Sequence, residues 1–135
     1  MYSNILIPVA FGEDRDHAQA EVVAKHLAGE GARITLLHVM EQLPNYAAEY
    51  VPTDLILGNR ERLATRLQVM AGALPNGQSA VIEGATGRSI TDYARDHDVD
   101  LIVMPSHQPA LSDILLDSTA AWVTRHAPCA VHVIR

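Results

Sequence analysis

The sequence predicts a single-domain α/β fold, a parallel sheet with helices on both faces. Three observations predict it. Five short apolar runs alternate with longer amphipathic stretches. The first, second and fourth runs are almost unbroken in Ile, Leu and Val, as expected of strands covered on both sides. Gly, Pro and Asn punctuate the joints between runs. A β-α-β-α-β-α-β-α-β order implies right-handed crossovers and a doubly wound sheet.

The first strand is expected over Asn4–Val9 and is followed by a helix from near Asp14. Ala20, Val23, Ala24 and Leu27 fall on one face of that helix, and Gly29 or Gly31 would end it. The second strand is expected over Arg33–Val39. A long connection from Glu41 to Gly58 then carries Pro44, Tyr46, Tyr50 and Pro52; connections of this length often serve as lids or partner surfaces. Leu63, Leu67, Met70 and Leu74 line the second helix, stopped by Pro75, Asn76 and Gly77. Strand three is expected over Ser79–Glu83, and a third helix follows with Ile90, Tyr93, Ala94 and His97 on its inner face. Strand four spans Asp100–Met104. The fourth helix runs from about Ser118 to Ala127, because Pro128 disfavours helical geometry in the residue before it. Ala130–Ile134 is the fifth strand.

Composition bounds the function. The 135 residues suffice for one domain with a single core. The formal net charge of −6 comes with scattered Lys and Arg, which argues against a nucleic-acid or anionic-membrane partner. No segment approaches the roughly 20 apolar residues of a membrane helix, and the start of the chain does not read as a secretory signal. Cys129 is the one cysteine, so no internal disulfide forms, which fits a reducing cytoplasm.

Ligands of doubly wound sheets bind beyond the carboxyl ends of the strands, where the winding reverses. With strands one and four adjacent there, the crevice is walled by Pro8–Phe11 and Pro105–Gln108. The segment Met104–Thr119 leads from strand four into the last helix, a position that offers helix N–H groups and short hydroxyls to a phosphate. It lacks the glycines that let a backbone approach phosphate oxygens closely.

Several blocks carry a resemblance that spans the chain. They are Asn4-Ile-Leu-Ile-Pro-Val, Leu36-Leu-His-Val, Ser106-His107, Leu115-Leu116-Asp117-Ser118-Thr119, Arg125-His-Ala-Pro-Cys129 and Val131-His-Val-Ile-Arg135. In this order and spacing the chain resembles the universal stress protein family, in its Ser-His-x-Pro loop subgroup. The resemblance implies a Rossmann-like sheet of the adenine nucleotide alpha hydrolase type, in strand order 3-2-1-4-5. It further implies a homodimer paired through the C-terminal strand, whose apolar edge would otherwise be left open. It also implies a non-catalytic stress-response module binding ATP or AMP, with Mg²⁺ a possible companion. Carried over residue by residue, Pro8, Val9, Ala10 and Val39 would hold the adenosine, with Met104 and Pro105 beside it. Ser106, Gln108, Ser118 and Thr119 would hold ribose and phosphates.

The chain departs from the ATP-binding branch. Pro105 and Gln108 stand where that branch has its first two glycines, Asp117 stands at the third, and Ala10 replaces a frequent Asp. Two unit charges about 4 Å apart repel by about 4 kcal/mol at an effective dielectric near 20. An Asp117 carboxylate facing a phosphate could therefore weaken binding about a thousandfold. It could instead point away, ligate Mg²⁺, or, like Ser118, simply cap the helix. Two readings stay open: a nucleotide-binding module, and a nucleotide-free dimeric interaction protein resembling the branch that does not bind ATP.

Other chemistry is weakly supported. Glu83–Ser89 lies between a strand and a helix but lacks the Gly-Lys-Ser/Thr ending of a Walker motif; it reads as a tight turn with Thr86 or Ser89 near the cap, from which Arg88 could reach a phosphate. Slow ATP hydrolysis is disfavoured because no general base or Walker lysine is identifiable. The seven histidines make no His-x-x-x-His pair. Ser106 and His107 are adjacent and poorly placed to act as nucleophile and base. Trp122 reads as core or interface packing, Cys129 as a small buried hydrophobe, and Asp98 with Asp100 as a solvated turn.

Overall fold

The computed structural model describes residues 1–11, 14–41, 50–105 and 113–135, the side chains of 14–16 and 113–118 excepted. The elements are β1 (Tyr2–Pro8), α1 (Asp14–Leu27), β2 (Ala28–Met40), α2 (Thr53–Gly72), β3 (Gly77–Glu83), α3 (Thr86–Asp96), β4 (Leu101–Pro105), α4 (Asp113–His126) and β5 (Ala130–Ile134). All strand pairings are parallel, in the order β3-β2-β1-β4-β5.

Alternation along the strands divides the core. Ile5, Ile7, Ile34, Leu36, Leu101 and Val103 face Ala20 and Ala24 of α1 and Leu67 and Ala71 of α2. Leu6, Leu37, Val39, Ile102 and Met104 face Ile90 and Ala94 of α3 and Ala120 and Val123 of α4. The period-two reversal of side chains makes this two-sided packing possible from almost continuous apolar runs. Adjacent β1 and β4 feed crossovers of opposite direction, so the winding reverses between them.

Several element ends differ from expectation, most by one or two residues and the following by more. α1 stops at Leu27, and Gly29 and Gly31 lie within β2. Tyr2 opposes Ala28 while Asn4 opposes Arg33, so extra β2 residues are taken up in a bulge. Gly31 sits there at φ +74°. α2 starts at Thr53, inside the stretch expected to be a long connection. His97 is the exposed C-cap of α3 rather than an inner-face residue, and it stacks on Tyr93 with centroids 3.8 Å apart. α4 starts at Asp113, so its backbone is already helical through Asp117 and Ser118. Neither residue is therefore the cap of that helix.

Asp98 and Asp100 do more than mark a solvated turn. Asp98 takes the left-handed conformation at φ 55°. The Asp100 carboxylate accepts hydrogen bonds from Ser3 N–H (2.8 Å), Ser3 Oγ–H (3.0 Å) and Asn4 N–H (2.9 Å). Asp100 N–H donates to Asn4 O at 2.9 Å, and Asn4 Nδ2 donates to His97 O at 2.8 Å. This clip fixes β1 against β4 at the end of the sheet opposite the predicted crevice.

Candidate functional site

The carboxyl end of β1 is held by its neighbours. Val9 N–H donates to Leu37 O at 2.8 Å, continuing the strand pairing past Pro8. The Val9 carbonyl accepts from His38 Nδ1–H at 2.7 Å, a bond that selects the Nδ1-protonated tautomer. Phe11 meets the His38 ring edge-on with centroids 4.8 Å apart, and the Arg66 guanidinium lies 4.9 Å from the Phe11 centroid. The exit of β1 is thereby fixed to β2 and α2.

The residues predicted for adenosine are only partly brought together. Val39 and Met104 are both buried and share the α3/α4 side of the sheet. Val9 is buried on the opposite side, and both of its backbone polar groups are already engaged. Pro8 and Pro105 are half-buried at the ends of β1 and β4, and Ala10 is exposed. Ser106 and Gln108 lie outside the described residues. Asp117 and Ser118 are placed by their backbone only, within α4. Thr119, half-buried, lines a cleft.

That cleft has a volume of about 760 Å³ and lies between the carboxyl ends of β2 and β3, the start of α3, and α4. Among the described residues its lining is Glu41, Gly84, Ala85, Thr86, Gly87, Arg88, Thr119 and Trp122. Gly84 N–H donates to Met40 O at 3.0 Å, which extends the β2–β3 ladder to the rim. Gly84 has φ +151°, and a Cβ there would lie 2.6 Å from Ser89 Oγ. A Cβ on Gly87 would lie 2.9 Å from Trp122 Cδ1, so glycine lets α3 and α4 meet at this point. Neither Thr86 nor Ser89 caps α3: Ala85 is the N-cap, with no side-chain cap bond. Thr86 Oγ1 instead donates to Glu41 Oε1 at 3.1 Å, across the mouth of the cleft.

Trp122 forms one wall. His126 stacks on it at 3.8 Å, and the Arg88 guanidinium lies 5.9 Å from its ring centroid. Its Nε1–H is buried and has no hydrogen-bond partner among the described residues. An unpaired buried donor is uncommon and carries a desolvation penalty. Of the lining residues, Thr119 and Arg88 are among those the sequence points to as ligand contacts, and Glu41 and Trp122 are not. The signals existed: Glu41 directly follows the second strand, where sheets of this kind place acidic ligands to sugars, and Trp122 is one turn beyond Thr119. No cluster of three metal-ligating side chains occurs among the described residues.

The family model for universal stress proteins matches residues 1–135. The chain belongs to the universal stress protein family. A universal stress protein of Thermus aquaticus is 30% identical over 141 residues, with each chain covered completely (100%). Universal stress protein G of Salmonella typhimurium is likewise 30% identical, over 144 residues and 100% of both chains. Among solved structures, UspA of Lactobacillus plantarum superposes with a TM-score of 0.74 at 28% identity, covering 99% of this chain and 98% of that one. More distant members share the fold. One from Archaeoglobus fulgidus in complex with dAMP gives a TM-score of 0.66 at 16% identity, over 99% and 98% of the two chains. One from Arabidopsis thaliana with AMP bound gives 0.62 at 14%, over 98% and 90%. The family thus sits on the doubly wound sheet described above, with the cleft at the carboxyl ends of this member's strands.

Proposed function

We propose that this universal stress protein is a non-catalytic binding module for adenine nucleotides, acting as a homodimer. The observation that carries the reading is the 760 Å³ cleft at the carboxyl ends of the strands. Trp122, Ala85 and the glycines line it with apolar surface, Thr86 and Thr119 contribute hydroxyls, and the buried Val39 and Met104 belong to the core on the same side of the sheet. An apolar wall with a few convergent polar groups is the usual form of a small-molecule site. Relatives whose structures contain AMP or dAMP share this sheet. A reversible ligand of this kind would act by mass action, stabilising the chain by an amount that rises with the logarithm of its concentration once that exceeds the dissociation constant.

Calorimetric titration with ATP, ADP and AMP, each with Mg²⁺, tests the reading. Saturable heat with at least one of them is expected. No heat and no thermal shift at millimolar ligand would overturn it, and phosphate release above blank would contradict the non-catalytic assignment.

The second reading, a nucleotide-free dimeric interaction protein, is favoured by Asp117, Ala10 and the missing glycines of the loop. An Asp117→Gly variant separates the two: ATP binding gained by the variant alone means the natural site has lost that ligand. The dimer is supported by β5, an edge strand that pairs only with β4 within the sheet. Sedimentation showing only monomer at micromolar concentration would contradict it.

A further inference from the structure

We propose that Arg88 supplies the phosphate contact of this site, so that the preferred ligand is a nucleoside monophosphate whose anionic end lies in the cleft between α3 and α4. This rests on the nucleotide-binding reading above and moves its phosphate contact away from the loop before α4. Among the described residues, Arg88 is the cation on the cleft lining. Among the described residues its guanidinium makes no ion pair or hydrogen bond, and it lies 5.9 Å from the centroid of the Trp122 ring that forms one cleft wall. A planar guanidinium with free N–H groups matches phosphate oxygens two at a time.

The surroundings complete an anion-sized recess. Thr86 and Thr119 bring hydroxyls, and Gly87 keeps the first turn of α3 clear of side-chain bulk. The buried Trp122 Nε1–H lacks an acceptor among the described residues, and a small shift of the ring toward the cleft it lines would let a bound phosphate oxygen or its water supply one. Glu41 sets the upper limit on charge. Its carboxylate lines the same cleft and is held there by Thr86. Among the described residues one guanidinium and one carboxylate line the cleft, so a second or third phosphate finds no further cation among them, and each added negative charge meets Glu41.

The experiment compares AMP, ATP and adenosine binding to the wild-type chain, Arg88→Gln and Arg88→Lys by calorimetry. Arg88 is exposed, so both variants should fold, with a thermal melt as control. AMP is expected to bind the wild type more tightly than adenosine and at least as tightly as ATP. Arg88→Gln should lose about tenfold to a hundredfold in AMP affinity with adenosine unchanged, a span set by one or two charge-assisted hydrogen bonds. Arg88→Lys, keeping charge without the fork, should fall between. If AMP binds the wild type and Arg88→Gln equally, this inference fails while the nucleotide reading stands. If neither AMP nor adenosine binds the wild type, the nucleotide reading fails and takes this inference with it.

Discussion

Asp100 shows at the residue scale how one side chain sets both architecture and pH response. Burial alone would raise its carboxyl pKa, but hydrogen bonds from the Ser3 and Asn4 N–H groups and the Ser3 hydroxyl outweigh that and hold it below the usual carboxylate value. A carboxyl depressed in the folded state adds stability above the unfolded pKa of about 4, and that stability is lost as pH falls through the folded value. Melting temperature should therefore drop below about pH 4 more steeply for the wild type than for Asp100→Asn. At neutral pH Asp100→Ala should destabilise by about 2 kcal/mol in urea titrations, since it strands several donors. The same carboxylate reaches Cys129: burial, then the Asp100 charge, raises the thiol pKa. Alkylation of Cys129 at pH 8 should be slower than that of free cysteine, and faster in Asp100→Asn. The clip was not legible in the sequence, because Asp-Val-Asp reads the same whether its carboxylates face water or two backbone N–H groups far off along the chain.

Helices and strands were legible where periodicity spoke and blurred where end signals competed. Apolar spacing located the core faces of α1 and α2, with Ala20, Ala24 and Leu67 buried as expected, and Leu74 buried just past the end of α2. The start of α4 was misplaced because Asp117-Ser118 and Ser112-Asp113 offer the same capping chemistry more than a turn apart, and only tertiary packing chooses between them. Glycines carried two different messages. A Cβ at Gly77 would lie 1.9 Å from the Ala71 carbonyl oxygen, so backbone must move to admit it. Gly77→Ala should cost about 3 kcal/mol or more, read as a lowered urea midpoint. Gly58, inside α2 with nothing within 4 Å of its Cβ position, should behave oppositely. Gly58→Ala is expected to stabilise by about 0.5–1 kcal/mol, through helix propensity and a less flexible unfolded chain.

For the whole molecule, the order β3-β2-β1-β4-β5 follows from two right-handed crossovers to one side and two to the other. That winding sets the exits of β1 and β4 beside each other and brings α3 against α4 on the face that carries Val39 and Met104. The general place of the site was thus legible from the alternation of runs alone. Its chemistry was less so: Glu41, Arg88 and Trp122 come from three separate elements, and nothing local in the sequence joins them. His38 couples β2 to the exit of β1 by fixing the Val9 carbonyl. His38→Phe should leave the Val9 carbonyl without its donor, destabilise by about 1–2 kcal/mol in thermal or urea melts, and weaken AMP binding without abolishing it.

The most direct test of the central claim is an AMP titration of the wild-type chain followed by amide chemical shifts. Saturable shifts are expected at Val39, Glu41, Gly84–Arg88, Met104 and Thr119, with a rise in stability of about 2.7 kcal/mol at a hundredfold excess over the dissociation constant. Unchanged spectra at millimolar AMP, or shifts confined to another face, would contradict it.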